Sequence, residues 1–160
     1  MTNEELSGLT REDFHKRAAA LKPETRMLID GKLVSAKSGE KFETVNPAND
    51  EVIAEVALGG AEDVDDAVAS ARKAFKSGVW SRMEPRARME VMYRFADLIE
   101  QNAFELGLLD SLDVGKPITD MLNPDGDVAA TALTVRYFGE AIDKIEGIVT
   151  NTKFDTFHYI

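Results

Sequence analysis

The spacing of apolar residues divides this chain into a short helix-like stretch, a strand-like stretch, a long helical stretch and a strand-like tail. Phe14, Ala18 and Leu21 form a modest helical stripe after Thr10-Arg11-Glu12-Asp13, which reads as a cap and first turn, and Lys22-Pro23 stops it. Met27-Leu28-Ile29 and Leu33-Val34 then flank Asp30-Gly31, a pair suited to the two positive-φ positions of a type I′ hairpin turn. Two more strand-like runs, Phe42 to Val45 and Val52 to Ala57, are separated by Asn46-Pro47-Ala48-Asn49-Asp50, which supplies turn chemistry. Residues 27–57 are therefore expected to form a small set of antiparallel strands.

From Gly59-Gly60 onward the period becomes helical. Val64, Ala67, Val68, Ala71 and Phe75 make an apolar stripe, while Asp63, Asp66, Arg72, Lys73 and Lys76 fill the other face. Acids gather at the start of this helix and bases at its end, as the macrodipole favours, and Gly78 closes it. Pro85 suits the first turn of a second helix with Met89, Met92, Ala96 and Ile99 inward. A third helix is expected over Ala103 to Val114, stopped by Gly115 and Pro117. Gly107 interrupts it, at a cost of about 0.5–1 kcal/mol relative to alanine. Pro124 is expected to open a fourth, running through Val128, Ala132, Val135 and Ile142 to about Ile145. The tail, Ile148 to Ile160, reads as an extended strand or strand pair with an apolar open edge. Such an edge is covered by an earlier element, or else reflects truncation or a missing partner.

Length, 160 residues, allows one domain or a piece of something larger. Hydrophobic residues at 44% and charged residues at 30% describe a soluble globular chain. A net charge of −10 repels phosphate backbones and anionic lipid, which argues against nucleic acid and membrane as partners. The longest apolar run, about Val128 to Val135, is far short of the roughly 20 residues a span needs, and the acidic start, Met1-Thr2-Asn3-Glu4-Glu5, is no secretory signal. A cytoplasmic location is the expectation.

Chemistry is defined mainly by exclusion. The chain has no cysteine, so disulfides, thiolate metal sites and cysteine nucleophiles are all absent. Gly115-Lys116 is not a phosphate loop, because Asp110 and Pro117 stand where glycine and serine or threonine are required. There is neither a Gly-x-Gly-x-x-Gly loop nor a Gly-x-Ser-x-Gly elbow, and the two histidines, His15 and His158, lie near opposite ends. Asp113 is the carboxylate that carries information. It closes the third helix, where an acid meets the negative end of the macrodipole at a cost of about 0.3–1 kcal/mol. Either Lys116 or a bound metal ion with a preference for oxygen would relieve that penalty.

The order of several motifs resembles the N-terminal region of the aldehyde dehydrogenase family. They are Leu28-Ile29-Asp30-Gly31-Lys32, Phe42-Glu43-Thr44-Val45-Asn46-Pro47, Glu62-Asp63-Val64-Asp65, Ala67-Val68 with Ala71-Arg72-Lys73-Ala74-Phe75, Gly78-Val79-Trp80, Arg94-Phe95-Ala96-Asp97-Leu98-Ile99-Glu100 and Leu112-Asp113-Val114-Gly115-Lys116-Pro117. Each is weak alone; in this order over residues 27–147 they are specific. The first 26 residues carry little of this signal, and Leu109-Asp110-Ser111 stands where the family usually has Leu-Glu-Thr.

The resemblance implies an α/β fold, here the N-terminal helical and β-hairpin part of a Rossmann-type cofactor domain (residues 1–146), followed by the start of an oligomerisation arm (residues 147–160). It implies an NAD- or NADP-dependent oxidation of a small-molecule aldehyde to the acid by a homo-dimer or homo-tetramer. Gly78-Val79-Trp80-Ser81-Arg82, Arg94-Phe95-Ala96-Asp97 and Gly139-Glu140-Ala141-Ile142-Asp143-Lys144 look like the branch that oxidises aminated aldehydes in polyamine breakdown, including γ-glutamyl-aminobutyraldehyde and guanidinobutyraldehyde. The family's cysteine nucleophile, glutamate base and cofactor loop all have no counterpart here, so no catalytic or cofactor-binding residue is carried over. A structural potassium or sodium ion is, onto Thr44, Val45 and Asp113. The rival expectation is a stand-alone, non-catalytic binding or assembly module built on the same scaffold.

Overall fold

The structure is a computed structural model that describes residues 8–150 and 154–159. The expected features of Met1 to Glu5, and those of residues 151–153 and Ile160 in the tail, lie outside the described residues. Helix α1 (Arg11–Ala20) starts on a reciprocal cap: the Asp13 amide donates to Thr10 Oγ1 at 3.3 Å and the Thr10 amide donates to Asp13 Oδ2 at 2.8 Å. It rests on the later helix through Phe14, stacked on Phe104 at 5.9 Å between centroids, with the Arg17 guanidinium 4.9 Å from the same ring.

Strands β1 (Met27–Ile29) and β2 (Lys32–Val34) form the expected hairpin, with Asp30 at φ 52° and Gly31 at φ 72°. Strands β3 (Lys41–Val45) and β4 (Val52–Ala57) form a second, separate ribbon, paired from Lys41–Ala57 to Val45–Val52 with a bulge between Thr44 and Val45. All pairing is antiparallel, as expected, but the ribbons do not join into one sheet. They are stitched instead by loop hydrogen bonds, the Ala57 amide to the Thr25 carbonyl and the Leu58 amide to the Glu40 carbonyl, both 2.9 Å.

Helix α2 (Ala61–Ser77) begins and ends where the sequence placed it, with Gly78 in the left-handed region at φ 72°. Its packing face does not follow the expectation. Asp63, assigned to the polar face, is buried, whereas Val64, Val68 and Phe75 of the apolar stripe are exposed. The physical reason is that the inward edge of α2 is fixed by hydrogen bonds: Asp63 accepts the amide of Lys37 in the loop after β2 and of its own N-cap Gly60, and Ser70 Oγ donates to Asp30 in the hairpin turn.

The core lies among the later helices, α3 (Pro85–Gln101), α4 (Ala103–Val114), α5 (Ile118–Leu122) and α6 (Asp127–Ala141), the last followed by a 3₁₀ turn (Ile142–Lys144). Ala96 and Ile99 of α3 meet Val128 and Ala132 of α6, with Ala103 and Val135 half-buried beside them. The small alanines let the two helices approach closely. Arg136 crosses the same junction, donating to Asp97 Oδ1 at 2.6 Å and Glu100 Oε2 at 2.7 Å, and the two carboxylates hold its guanidinium above the ordinary range.

Pro124 does not open the fourth helix. It sits in a turn, Gly126 is the N-cap, and the unanticipated helix α5 fills the space before it. A Cβ on Gly126 would lie 2.6 Å from the Asp120 carbonyl oxygen and 2.7 Å from that of Met121, so only glycine closes the α5–α6 turn. Gly107 also has a reason: its Cβ would lie 2.5 Å from Leu122 Cδ2 and 3.3 Å from Met121 Cβ. The helix gives up propensity there to seat α5 and bury Met121. The tail forms a short antiparallel pair, β5 (Val149–Thr150) with β6 (His158–Tyr159), flanked by exposed Ile148, Phe154 and Phe157. Among the described residues no helix is long and apolar enough to cross a membrane.

Candidate functional site

Two motifs far apart in sequence meet at the junction of β3 and the end of α4. Thr44 lies beside the bulge of β3, which disturbs the ladder between it and Val45. Asp113 lies in the last turn of α4, before Gly115 takes the left-handed conformation at φ 77° and its amide donates back to the Ser111 carbonyl at 3.0 Å. Thr44 Oγ1 donates to Asp113 Oδ1 at 2.5 Å across a separation of 69 residues. A Cβ on Gly115 would lie 2.7 Å from Pro47 Cγ, so the Asn46-Pro47 turn packs closely on the helix end.

Lys116 does not supply the counter-charge that Asp113 lacks. Its ammonium pairs with Asp127 at the start of α6, which, with Asp120 and Asp110 further off, raises its pKa above the usual lysine range. Its carbonyl accepts from Ser111 Oγ at 2.7 Å, fixing the turn after α4. Asp113 therefore keeps its unfavourable place at the helix end with a threonine hydroxyl as its hydrogen-bond donor. Beside it a cavity of about 610 Å³ opens between the β3–β4 ribbon and the helices, lined by Thr44, Ile53, Val56, Phe95, Ile99 and Asp113 among others.

Among the described residues no group of three or more His, Cys, Asp or Glu could hold a metal ion. A cation at this junction would depend on hydroxyl and backbone oxygen around one carboxylate, a donor set suited to potassium or sodium rather than to a transition metal. The two histidines belong to different elements: His15 on α1 accepts from Arg11 Nε at 3.2 Å, and His158 lies on β6.

Sequence reasoning missed Asp63 as a structural residue. It is 4% exposed and receives the Lys37 amide at 3.2 Å and the Gly60 amide at 2.9 Å. The signal was available, since an acid three residues after a helix-opening glycine matches half of a capping box. The role of Gly126 had no local signal, because its neighbours come from α5.

Residues 33–160 match the aldehyde dehydrogenase family, and the chain belongs to it. Among curated relatives, the aminoacetaldehyde dehydrogenase of Pseudomonas aeruginosa is 42% identical over 137 residues, which is 86% of this chain and 27% of the relative. Among solved structures, a variant of the P. syringae indole-3-acetaldehyde dehydrogenase in complex with NAD+ superimposes with a TM-score of 0.88 at 46% identity, over 93% of this chain and 30% of that one. The γ-glutamyl-γ-aminobutyraldehyde dehydrogenase of Burkholderia cenocepacia gives 0.86 at 44%, over 91% and 29%. This chain thus spans less than a third of the length of each.

Proposed function

We propose that the chain forms part of an NAD- or NADP-dependent enzyme that oxidises an aldehyde to the carboxylic acid, with an amino- or γ-glutamylated aminoaldehyde of polyamine breakdown as substrate. The observation that carries this reading is the match of residues 33–160 to the aldehyde dehydrogenase family, with 93% of the chain superimposing on an NAD+ complex at a TM-score of 0.88. The names of the P. aeruginosa and B. cenocepacia relatives support the aminated substrate class. In this reading residues 1–146 belong to the cofactor domain and residues 147–160 begin an arm that pairs subunits into a dimer or tetramer in the cytoplasm. A potassium or sodium ion sits between Asp113, Thr44 and the backbone at Val45. The cofactor accepts hydride from the substrate, and this chain contributes neither the nucleophile nor the loop that holds the cofactor, since it has no cysteine and no glycine-rich phosphate loop.

The test is a chimera in which residues 33–160 replace the matching stretch of the P. aeruginosa relative. Aldehyde-dependent reduction of NAD or NADP, with amino-aldehydes preferred over simple aliphatic ones, is the expected result. A folded chimera that reduces neither cofactor with any aldehyde overturns the reading and returns the chain to the role of a non-catalytic module.

A further inference from the structure

None of the ten residues of helix α1 is buried. Its polar contacts run along its own length: the Thr10–Asp13 cap, and Arg11 Nε donating to His15 Nε2 at 3.2 Å. It meets α4 through one aromatic pair, Phe14 stacked on Phe104, with Arg17 over the same ring and Ala18 and Leu21 half-buried. A helix of this length does not persist in water by itself, so α1 owes its form to that contact.

Two cavities flank it. One of about 700 Å³ separates Arg11, His15 and Ala18 from Asn46 and Val52 at the β3–β4 turn and from Leu112 of α4. The other, of about 400 Å³, lies between Arg17, Ala20 and Leu21 on one side and Phe104, Glu105 and Leu108 on the other. A helix with space on both sides of its contact forfeits much of the dispersion attraction that close packing supplies. Helix α2 also buries no apolar side chain, but Asp63 and Ser70 tie it to the chain before and within the β1–β2 hairpin region.

The root of α1 is firmer than the helix. Leu21 leaves it in extended conformation at φ −62° and ψ 139°, and Pro23 follows. The Thr25 carbonyl then accepts the Ala57 amide at 2.9 Å, and Arg26 Nε and Nη2 donate to Glu24 at 2.7 and 2.8 Å. A hinge for α1 therefore falls at Lys22-Pro23, just ahead of the anchored stretch. Pro23, Ile53 and Leu109 line both the 700 Å³ cavity and the 610 Å³ cavity beside Asp113.

We propose that α1 is a hinged strap, released from α4 as a unit about Lys22-Pro23 while the α3–α6 core and the ribbons stay folded. Phe14 is the latch. Release uncovers Leu108 and Leu112 of α4 and opens the larger cavity toward the one beside Asp113, so the strap gates the apolar side of that junction.

Hydrogen exchange in the full 160-residue chain reads the opening directly. The amides of residues 15–20 should exchange together, about a hundredfold faster or more than those of residues 128–135 on α6, once intrinsic rates are removed. Because the chain has no cysteine, Leu108→Cys places a single thiol beneath the strap, and Ala132→Cys places one in the α3–α6 core; the parent residues are 4% and 0% exposed. The thiol at position 108 should react about tenfold faster or more with a labelling reagent. Adding Phe14→Ala should raise that rate about tenfold further, leaving the rate at position 132 and exchange in α6 unchanged, whereas Phe14→Tyr, which keeps the ring, should hold the parent rate.

Equal reactivity of the two thiols, or α1 amides as protected as those of α6, overturns the proposal, because α1 then leaves only when the whole chain unfolds. A fast thiol at position 108 that Phe14→Ala does not change assigns the opening to another element and overturns it too. So does a Phe14→Ala that speeds both thiols alike, which would make the aromatic pair a support of the entire fold. If either cysteine variant fails to fold, exchange in the parent and Phe14→Ala chains decides the matter alone.

Discussion

Asp63, Gly107 and Gly126 each stand where the surrounding packing leaves little choice of side chain. The carboxylate of Asp63 satisfies two backbone amides from different segments, so its removal leaves both donors short of a partner. Asp63→Ala is expected to cost about 1–2 kcal/mol in urea denaturation, and Asp63→Asn less, because the amide oxygen still accepts. The glycines separate by what surrounds them. At Gly126 the added methyl meets two carbonyl oxygens of the backbone, which do not move without displacing α5. Gly126→Ala should destabilise by about 1–3 kcal/mol. At Gly107 it meets the end of Leu122, a side chain that can rotate away, and it gains helix propensity of about 0.5–1 kcal/mol in return. Gly107→Ala is therefore expected to be the milder change, with the order checked by the two denaturation midpoints. The reverse order would mean that the α5–α6 turn relaxes more easily than a side chain does.

At the scale of elements, the junction between β3 and α4 places a carboxylate at the negative end of a helix. Lys116 is committed to Asp127, so Asp113 faces the negative end of its own helix with Thr44 as donor. If a monovalent cation binds there in the folded state only, stability rises by RT ln(1 + [L]/Kd) and the melting temperature climbs with potassium or sodium. A bulky organic cation at equal ionic strength controls for screening. Asp113→Asn keeps the shape, removes the charge and should abolish the cation-specific part of the rise. Identical responses of parent and variant would leave Asp113 as an acid held by Thr44 alone. Helix α2 shows the opposite imbalance, since each bulky apolar side chain left in water forfeits about 1.5–3 kcal/mol that burial would provide.

For the whole molecule, the expected behaviour follows from what the chain contains and what it leaves exposed. The purified 160-residue chain should reduce no nicotinamide cofactor with any small aldehyde, because it has no cysteine and no cofactor loop. Turnover above the blank, in a preparation free of complete enzyme, would contradict this. Among the described residues the tail pairs β5 with β6 in a ribbon of its own and exposes Ile148, Phe154, Phe157 and Tyr159. Open edges with apolar flanks associate, so deleting residues 148–160 should give a smaller and more soluble species by light scattering. Equal association of the shortened chain would move the cause elsewhere, with the α2 stripe as the next surface to change.

Local chemistry made much of this chain legible in its sequence. The Asp30-Gly31 turn, the limits of α2 at Gly60 and Gly78 and the stop of α4 at Gly115 all depend on neighbours within a turn or two, and the helical spacing of Ala96 and Ile99 marked the inward face of α3. Motif order over residues 27–147 was enough to suggest the family, and the absence of cysteine excluded a thiol nucleophile. Tertiary structure decided the rest. Which face of α2 turns inward depends on amides of the β1–β2 region that only folding brings near, and Gly107 and Gly126 have their reasons in α5, an element too short to announce itself by periodicity. The meeting of Thr44 with Asp113 is the clearest case: a hydrogen bond between residues 69 apart depends on where a ribbon and a helix end come to rest, and no local pattern encodes that.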